Sequence, residues 1–272
     1  MKESQVSRKT ELIQTKYGAL KPNQGSFDVR KKYREAVTYY EDGTVASVYL
    51  DELTPIDSPI GRIKAELLTF YPNGNIKRLF PLYGQISGYW TEDDEYGLAE
   101  QVKITALGKD FYTKPLCIAF YPSGALKSLT VWRQETIQVP TKYGEVSSNF
   151  GFELTEDGRL KSVEPVFGTR VTSEYGTLYP YDCENYRLHA ENNSLVFDKG
   201  ERLLSMKTIR NKVLLNEKGR RRTIESRVVE DRLFGVSMLM PLKLTFEKTG
   251  LVVEDMGGLE ETSEYENIEI VA

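Results

Sequence analysis

The chain has 272 residues, 40% hydrophobic and 28% charged, with a formal net charge of −4 and a pI near 5.4, so no overall basic field exists for nucleic acid or anionic lipid. No run approaches the roughly 18 apolar residues needed to span a bilayer, and Met1-Lys2-Glu3-Ser4-Gln5 leads into no apolar stretch, which predicts a cytoplasmic protein without membrane association. The enrichment is in tyrosine, 17 against 11 phenylalanines and 2 tryptophans, and tyrosine suits half-buried strands.

Two kinds of turn signature alternate along the sequence. Thr15-Lys16-Tyr17-Gly18 opens the first kind: a hydroxyl residue, two variable positions and glycine. A basic insertion of about 19–36, containing Arg30-Lys31-Lys32-Tyr33-Arg34, leads to the second kind at Tyr39-Tyr40-Glu41-Asp42-Gly43. Ser58-Pro59-Ile60-Gly61 repeats the first kind, and Phe70-Tyr71-Pro72-Asn73-Gly74-Asn75-Ile76-Lys77 repeats the second. In the latter, proline fixes φ at the second turn position, asparagine suits the third, and glycine takes the left-handed conformation of a bulge, so the signature predicts a hairpin. The apolar residue two after the glycine (Val45, Ile76, Leu126, Leu160, Val252) starts the outgoing strand. Another follows three further on in Val48, Leu79, Leu129 and Val163, a step that breaks alternation and predicts a bulge.

The insertion of about 84–101 carries Ile86-Ser87-Gly88-Tyr89-Trp90 and then Thr91-Glu92-Asp93-Asp94, a capping-box start for one short helix near 91–100. Aromatic residues are enriched in binding hot spots and binding residues concentrate on loops, which makes Ile86, Tyr89 and Trp90 the candidate binding residues. Their other destination is to pin the insertion onto the sheet.

Turns resume at Thr105-Ala106-Leu107-Gly108, Phe120-Tyr121-Pro122-Ser123-Gly124, Thr141-Lys142-Tyr143-Gly144, Leu154-Thr155-Glu156-Asp157-Gly158 and Ser173-Glu174-Tyr175-Gly176. A polar insertion of about 177–193 holds Cys183 and His189, followed by weaker members at Gly200 and Gly219, an eroded copy at Gly235, and Phe246-Glu247-Lys248-Thr249-Gly250. The densest basic run, Lys218-Gly219-Arg220-Arg221-Arg222, is flanked by Glu217 and Glu225 with no interleaved aromatics, so it reads as a solvated hairpin tip and no nucleic-acid partner is expected. The tail of about 257–272 is acidic and expected to be solvated, ending in an edge strand at Ile268-Glu269-Ile270-Val271. The whole predicts one all-β domain over 1–272, an antiparallel meander of hairpins, open or rolled.

Phe70 to Lys77 and Phe120 to Lys127 pair aromatics with a short turn to glycine, then an apolar residue and lysine; Glu156-Asp157-Gly158-Arg159-Leu160-Lys161 repeats the second half. In these residues the chain resembles the MORN-variant repeat. That resemblance implies a sheet of successive hairpins, and some bacterial proteins with this repeat are described as antitoxin-like components.

Chemistry is sparse in the sequence. With His189 as the one histidine, paired-histidine schemes and His-rich zinc sites are excluded, and Cys117 and Cys183 lie in no metal-ligand spacing and read as structural thiols of a reducing compartment. No phosphate-loop pattern or nucleophile elbow is present, so no cofactor, metal or catalytic residue is assigned. The expectation is a non-catalytic scaffold binding a protein partner. The alternative is a carbohydrate-binding or carbohydrate-active β protein, for which an aromatic-lined groove with two convergent carboxylates is the signature.

Overall fold

The computed structural model describes residues 11–25, 30, 34–182, 189–217, 220–231, 236–255, 258 and 260–272. The chain is all-β, with one α-helix among the described residues, Glu92–Leu98. Thr91 caps that helix, its hydroxyl accepting from the Asp94 N–H while Asp94 accepts from the Thr91 N–H, the capping box expected from the sequence.

Thirteen strands form one antiparallel sheet. From one edge they run Val37–Tyr39, Val45–Ser58, Gly61–Phe70, Ile76–Phe80, Pro115–Phe120, Leu126–Val131, Gly151–Leu154, Leu160–Glu164, Leu195–Phe197, Leu203–Thr208, Leu242–Phe246, Gly250–Asp255 and Glu260–Glu264. Spatial order follows chain order, as in a meander. The aromatic signatures make its tight turns: the Gly74 N–H donates to the Tyr71 carbonyl and the Tyr71 N–H to the Asn75 carbonyl, and the same pair recurs at Tyr40, Tyr121 and Thr155. Register shifts follow at Thr38/Tyr39, Thr69/Phe70 and Glu153/Leu154, where the three-residue apolar step predicts a bulge. That step has a purpose in packing, because Val48, Leu79, Leu129 and Val163 are all fully buried, each burial stabilising by roughly 1.5–3 kcal/mol.

Gly74 and Gly124 have φ of 78° and 94°, and an added Cβ would meet nothing closer than 3.4 Å. Substitution by alanine is therefore opposed by the backbone alone, and Gly74→Ala and Gly124→Ala should each destabilise by about 1 kcal/mol or more. Thermal melts check this, and two variants melting like the parent would discard the turn assignment.

Two members of the series depart from it. At the turn Asp198–Arg202 the left-handed residue is Glu201, with φ 57°, and not Gly200. Gly250 closes its turn without a positive φ; its Cβ would lie 2.3 Å from the Ser263 carbonyl oxygen, so glycine is needed there for the approach of the strand Glu260–Glu264. Gly219 and Gly235 lie outside the described residues.

The first signature makes something other than meander turns. It forms the tips of hairpin arms that leave the sheet: Ile13–Thr15 with Gly18–Leu20, the far ends of Val45–Ser58 and Gly61–Phe70, Val102–Ala106 with Lys109–Thr113, Ile137–Thr141 with Gly144–Ser148, and Val171–Ser173 with Gly176–Leu178. In four of them the hydroxyl that opens the signature donates to the glycine carbonyl and accepts an N–H two residues on, as Thr141 does with Gly144 and Tyr143.

The chain divides into two compact units, Met1–Thr105 with Asp110–Lys127 and Ala106–Lys109 with Ser128–Ala272. Within each, an arm docks on a sheet turn by one rule: it skips the next turn along the chain and seats on the one after. In the first unit the Tyr17 ring stacks on Phe70 and its hydroxyl accepts from the Ile76 N–H at 3.2 Å, while Pro59 lies 3.8 Å from where a Cβ on Gly124 would be. In the second, Tyr143 stacks on Phe197 and accepts from the Leu203 N–H at 3.0 Å, and Tyr175 stacks on Phe246 at 4.4 Å.

The acidic tail is mostly strand. Glu260–Glu264 is an edge of the large sheet, and Ile268–Val271 pairs with Lys212–Glu217 as the edge of a three-stranded sheet completed by Arg220–Ile224. Its carboxylates meet the basic run there: Glu269 pairs with Arg221 at 2.9 Å and Glu261 with Arg222, while Arg220 is exposed. The tail keeps its solvated character, with none of residues 260–272 buried, and is held by main-chain pairing along the two edges, to which these largely exposed ion pairs add little. Cys117 is buried on Pro115–Phe120, and Cys183 lies outside the described residues.

Candidate functional site

The insertion of 84–101 belongs to the first unit and is built from a turn and the capped helix. The Ser87 N–H donates to the Trp90 carbonyl at 2.8 Å and the Tyr89 N–H to the Ser87 hydroxyl, so Gly88 and Tyr89 form the tip. Tyr89 is 95% exposed and Ile86 57%, whereas Trp90 is half-buried. The three sequence candidates thus have two destinations: Ile86 and Tyr89 face solvent, and Trp90 pins the loop from below.

What it is pinned to is an ionic cluster that sequence reading missed. The Trp90 indole N–H donates to Glu95 Oε2 at 2.6 Å. The Glu95 carboxylate, 2% exposed, also accepts from Arg30 Nε and Nη2 at 3.0 and 2.9 Å and from the Gly84 N–H at 2.8 Å. On its other side Arg30 reaches Glu66, 5% exposed, through Nη1 and Nη2 at 3.1 and 3.2 Å, and Glu66 accepts from the Tyr83 N–H as well. Burial by itself would push the Arg30 guanidinium down, but its hydrogen bonds to Glu95 and Glu66 outweigh that and raise it. The guanidinium also lies 5.7 Å from the Trp90 ring centroid. A fork between two carboxylates is the geometry arginine favours.

Gly84 is part of the fit, since a Cβ there would lie 2.3 Å from the Glu95 carboxylate. The Gln85 N–H donates to the Arg30 carbonyl, tying the two insertions together. The sequence signal for the cluster was weak: Glu66 shares strand parity with buried Leu68 and Phe70 but also with exposed Arg62 and Lys64, so alternation alone did not decide on which side of that boundary it falls.

The second unit has buried carboxylates of its own, and Glu164 is the one with a shifted protonation equilibrium. Glu164, 3% exposed, accepts from the Ser194 hydroxyl and N–H at 2.8 and 2.7 Å and from the Asp182 N–H at 3.2 Å, and Asp182 pairs with Lys207 at 2.7 Å. Burial pushes Glu164 up to about 7, against the pull of those hydrogen bonds.

The Arg30 cluster and the Glu164 site are both enclosed, and their carboxylates are engaged by donors of the chain itself. The exposed aromatic tip is the part of this arrangement that another molecule can touch. No family model, curated protein or solved structure matches this chain.

Proposed function

We propose that the chain is a non-catalytic scaffold of β-hairpins that binds a protein partner through the tip at Ile86 and Tyr89. The observation that carries this reading is that Tyr89 is 95% exposed on a loop whose base is fixed by Trp90, Glu95 and Arg30. A large aromatic held out on an immobile base loses little conformational freedom on binding, which is what makes such residues anchors. The reading extends to a cytoplasmic setting, and the repeat resemblance would place the partner among toxin-like proteins. Among the described residues no helix is long and apolar enough to cross a membrane.

The test is to compare the parent with Ile86→Ala plus Tyr89→Ala as baits in affinity capture from a lysate of the source cells. The expected result is loss of specifically retained proteins, corresponding to about 2 kcal/mol or more of binding, with coincident thermal melts. Identical captured sets would remove the site, and so would a collapsed melt, because it would make the pair part of the core.

A further inference from the structure

One residue of the meander enters each tight turn: Tyr39, Phe70, Phe120, Leu154, Phe197 and Phe246 in chain order. The last five are 5% exposed or less, whereas Tyr39 is 56% exposed. Arm tips stack on three of the five, through Tyr17, Tyr143 and Tyr175. By the rule that an arm skips one turn, the arm serving Tyr39 would have to precede the one that carries Tyr17, and no such arm exists among the described residues. Tyr39 also ends Val37–Tyr39, an outermost strand of the large sheet, so backbone groups face outward beside it.

The opposite edge, Glu260–Glu264, has the complementary character. Residues 250–272 hold seven aspartates and glutamates and no lysine or arginine, whereas residues 1–36 hold nine lysines and arginines against four acidic residues. Glu260 and Glu264 are exposed, and neither edge strand contains a proline to block pairing. Antiparallel pairing of the two edges sets the end of one strand against the start of the other. It brings Tyr39 to Glu260, and Glu264 toward the basic stretch that ends at Arg34. An apolar cover lies near Glu260, which opposes Glu254; the next residue, Asp255, holds Arg227 at the base of the hairpin Arg227–Asp231 with Val236–Met240. Among the described residues that hairpin pairs with no other strand, and its Val228 is 62% exposed. A two-stranded hairpin by itself is marginal in water and gains from a surface to lie on.

We infer that copies of this chain associate head to tail, the edge Glu260–Glu264 of one adding to the edge Val37–Tyr39 of the next so that the sheet continues from copy to copy. The neighbouring copy's hairpin then covers Tyr39 at Val228, as the five equivalent residues are covered within the chain. The occupant is a second copy because the two edges carry opposite charge and each lacks what the other presents: one has an aromatic without a covering hairpin, the other a hairpin without a sheet. Such a contact is heterologous, and every added copy repeats it until the assembly closes on itself. It leaves the Tyr89 tip out, and the two surfaces stand or fall independently.

The test is sedimentation velocity on the full chain from about 1 to 200 μM, which spans association of micromolar strength. The parent should pass from 31.1 kDa to larger multiples, and about 0.5 M salt should weaken the association at least tenfold because the edges attract by charge. Tyr39→Ala weakens one edge, and Glu260→Lys with Glu264→Lys reverses the other. Each variant should associate at least tenfold more weakly than the parent. Mixed in equal amounts where each alone is monomeric, they should form a dimer that grows no further, since one keeps an intact acidic edge and the other an intact Tyr39. All three side chains are exposed, and a thermal melt checks each variant; should one fail to fold, the association of the other decides the case. A parent that stays monomeric at the top of the range in low salt overturns the inference. Undiminished association of either folded variant also overturns it, as does a mixture that forms no dimer.

Discussion

Arg30→Met is expected to destabilise the first unit by about 3–5 kcal/mol, the effect of removing one member of a buried ion cluster. Glu66 and Glu95 would then face each other inside the protein with side chains only 5% and 2% exposed and no cation between them. Their remaining donors, the Tyr83 and Gly84 N–H groups and the Trp90 indole, partly satisfy each carboxylate but do not offset two adjacent negative charges. One carboxylate must take up a proton or the insertion must detach. Because the chain has 2 tryptophans, a Trp132→Phe background leaves Trp90 as the reporter, and urea titration of its fluorescence should show both a lower midpoint and a changed native signal. Adding Glu66→Gln and Glu95→Gln to Arg30→Met removes the uncompensated charge and should recover a large part of the loss. A midpoint within 1 kcal/mol of the parent for Arg30→Met would mean that the cluster does not hold the insertion, and the Tyr89 tip would lose its fixed base.

What the sequence made legible was local. Pro72, Asn73 and Gly74 encode their turn by their own backbone preferences, and Thr91 and Asp94 encode a helix start across three residues, so both could be read directly. The arms were not legible as arms: Thr15-Lys16-Tyr17-Gly18 specifies a tight reversal, but whether the reversed strand joins the sheet or leaves it depends on what the tip meets. For Tyr17 that is Ile76, 59 residues away. The ionic cluster has the same character, with Arg30 separated from Glu66 by 36 residues and from Glu95 by 65. Basic residues in an insertion look solvated until the strand that carries Glu66 is known to bury both faces. Gly151 combines the two: Ser148-Asn149-Phe150-Gly151 has the form of the first signature, with the Ser148 hydroxyl donating to the Gly151 carbonyl and accepting the Phe150 N–H, but the 1.9 Å approach of a Cβ there to the Leu129 carbonyl oxygen is a requirement added by the neighbouring strand.

The pH dependence of stability should carry the mark of Glu164. Its folded-state pKa is raised from an ordinary 4.5 to about 7, so between those values the native chain holds a proton that the unfolded chain has released. Stability therefore falls as pH rises through this window: the contribution is fully present below 4.5 and is lost above 7, by about 3 kcal/mol for a shift of that size. Two features fix the direction. The side chain, on Leu160–Glu164, is buried against Asp182 and Ser194, where water cannot solvate a second charge, and the Asp182 carboxylate nearby opposes its ionisation further. Lys207 does not relieve this, because it is engaged by Asp182. Glu164→Gln cannot ionise, so its unfolding free energy should change by about 3 kcal/mol less than the parent's between pH 4.5 and 7.5. The variant pays separately for an amide N–H₂ facing donors such as the Ser194 N–H, a pH-independent cost of about 1–3 kcal/mol. Every other ionisable group is common to the two proteins, so subtracting the two profiles isolates Glu164. Parallel profiles would show that the carboxylate is ionised throughout, with the Ser194 and Asp182 donors outweighing its burial.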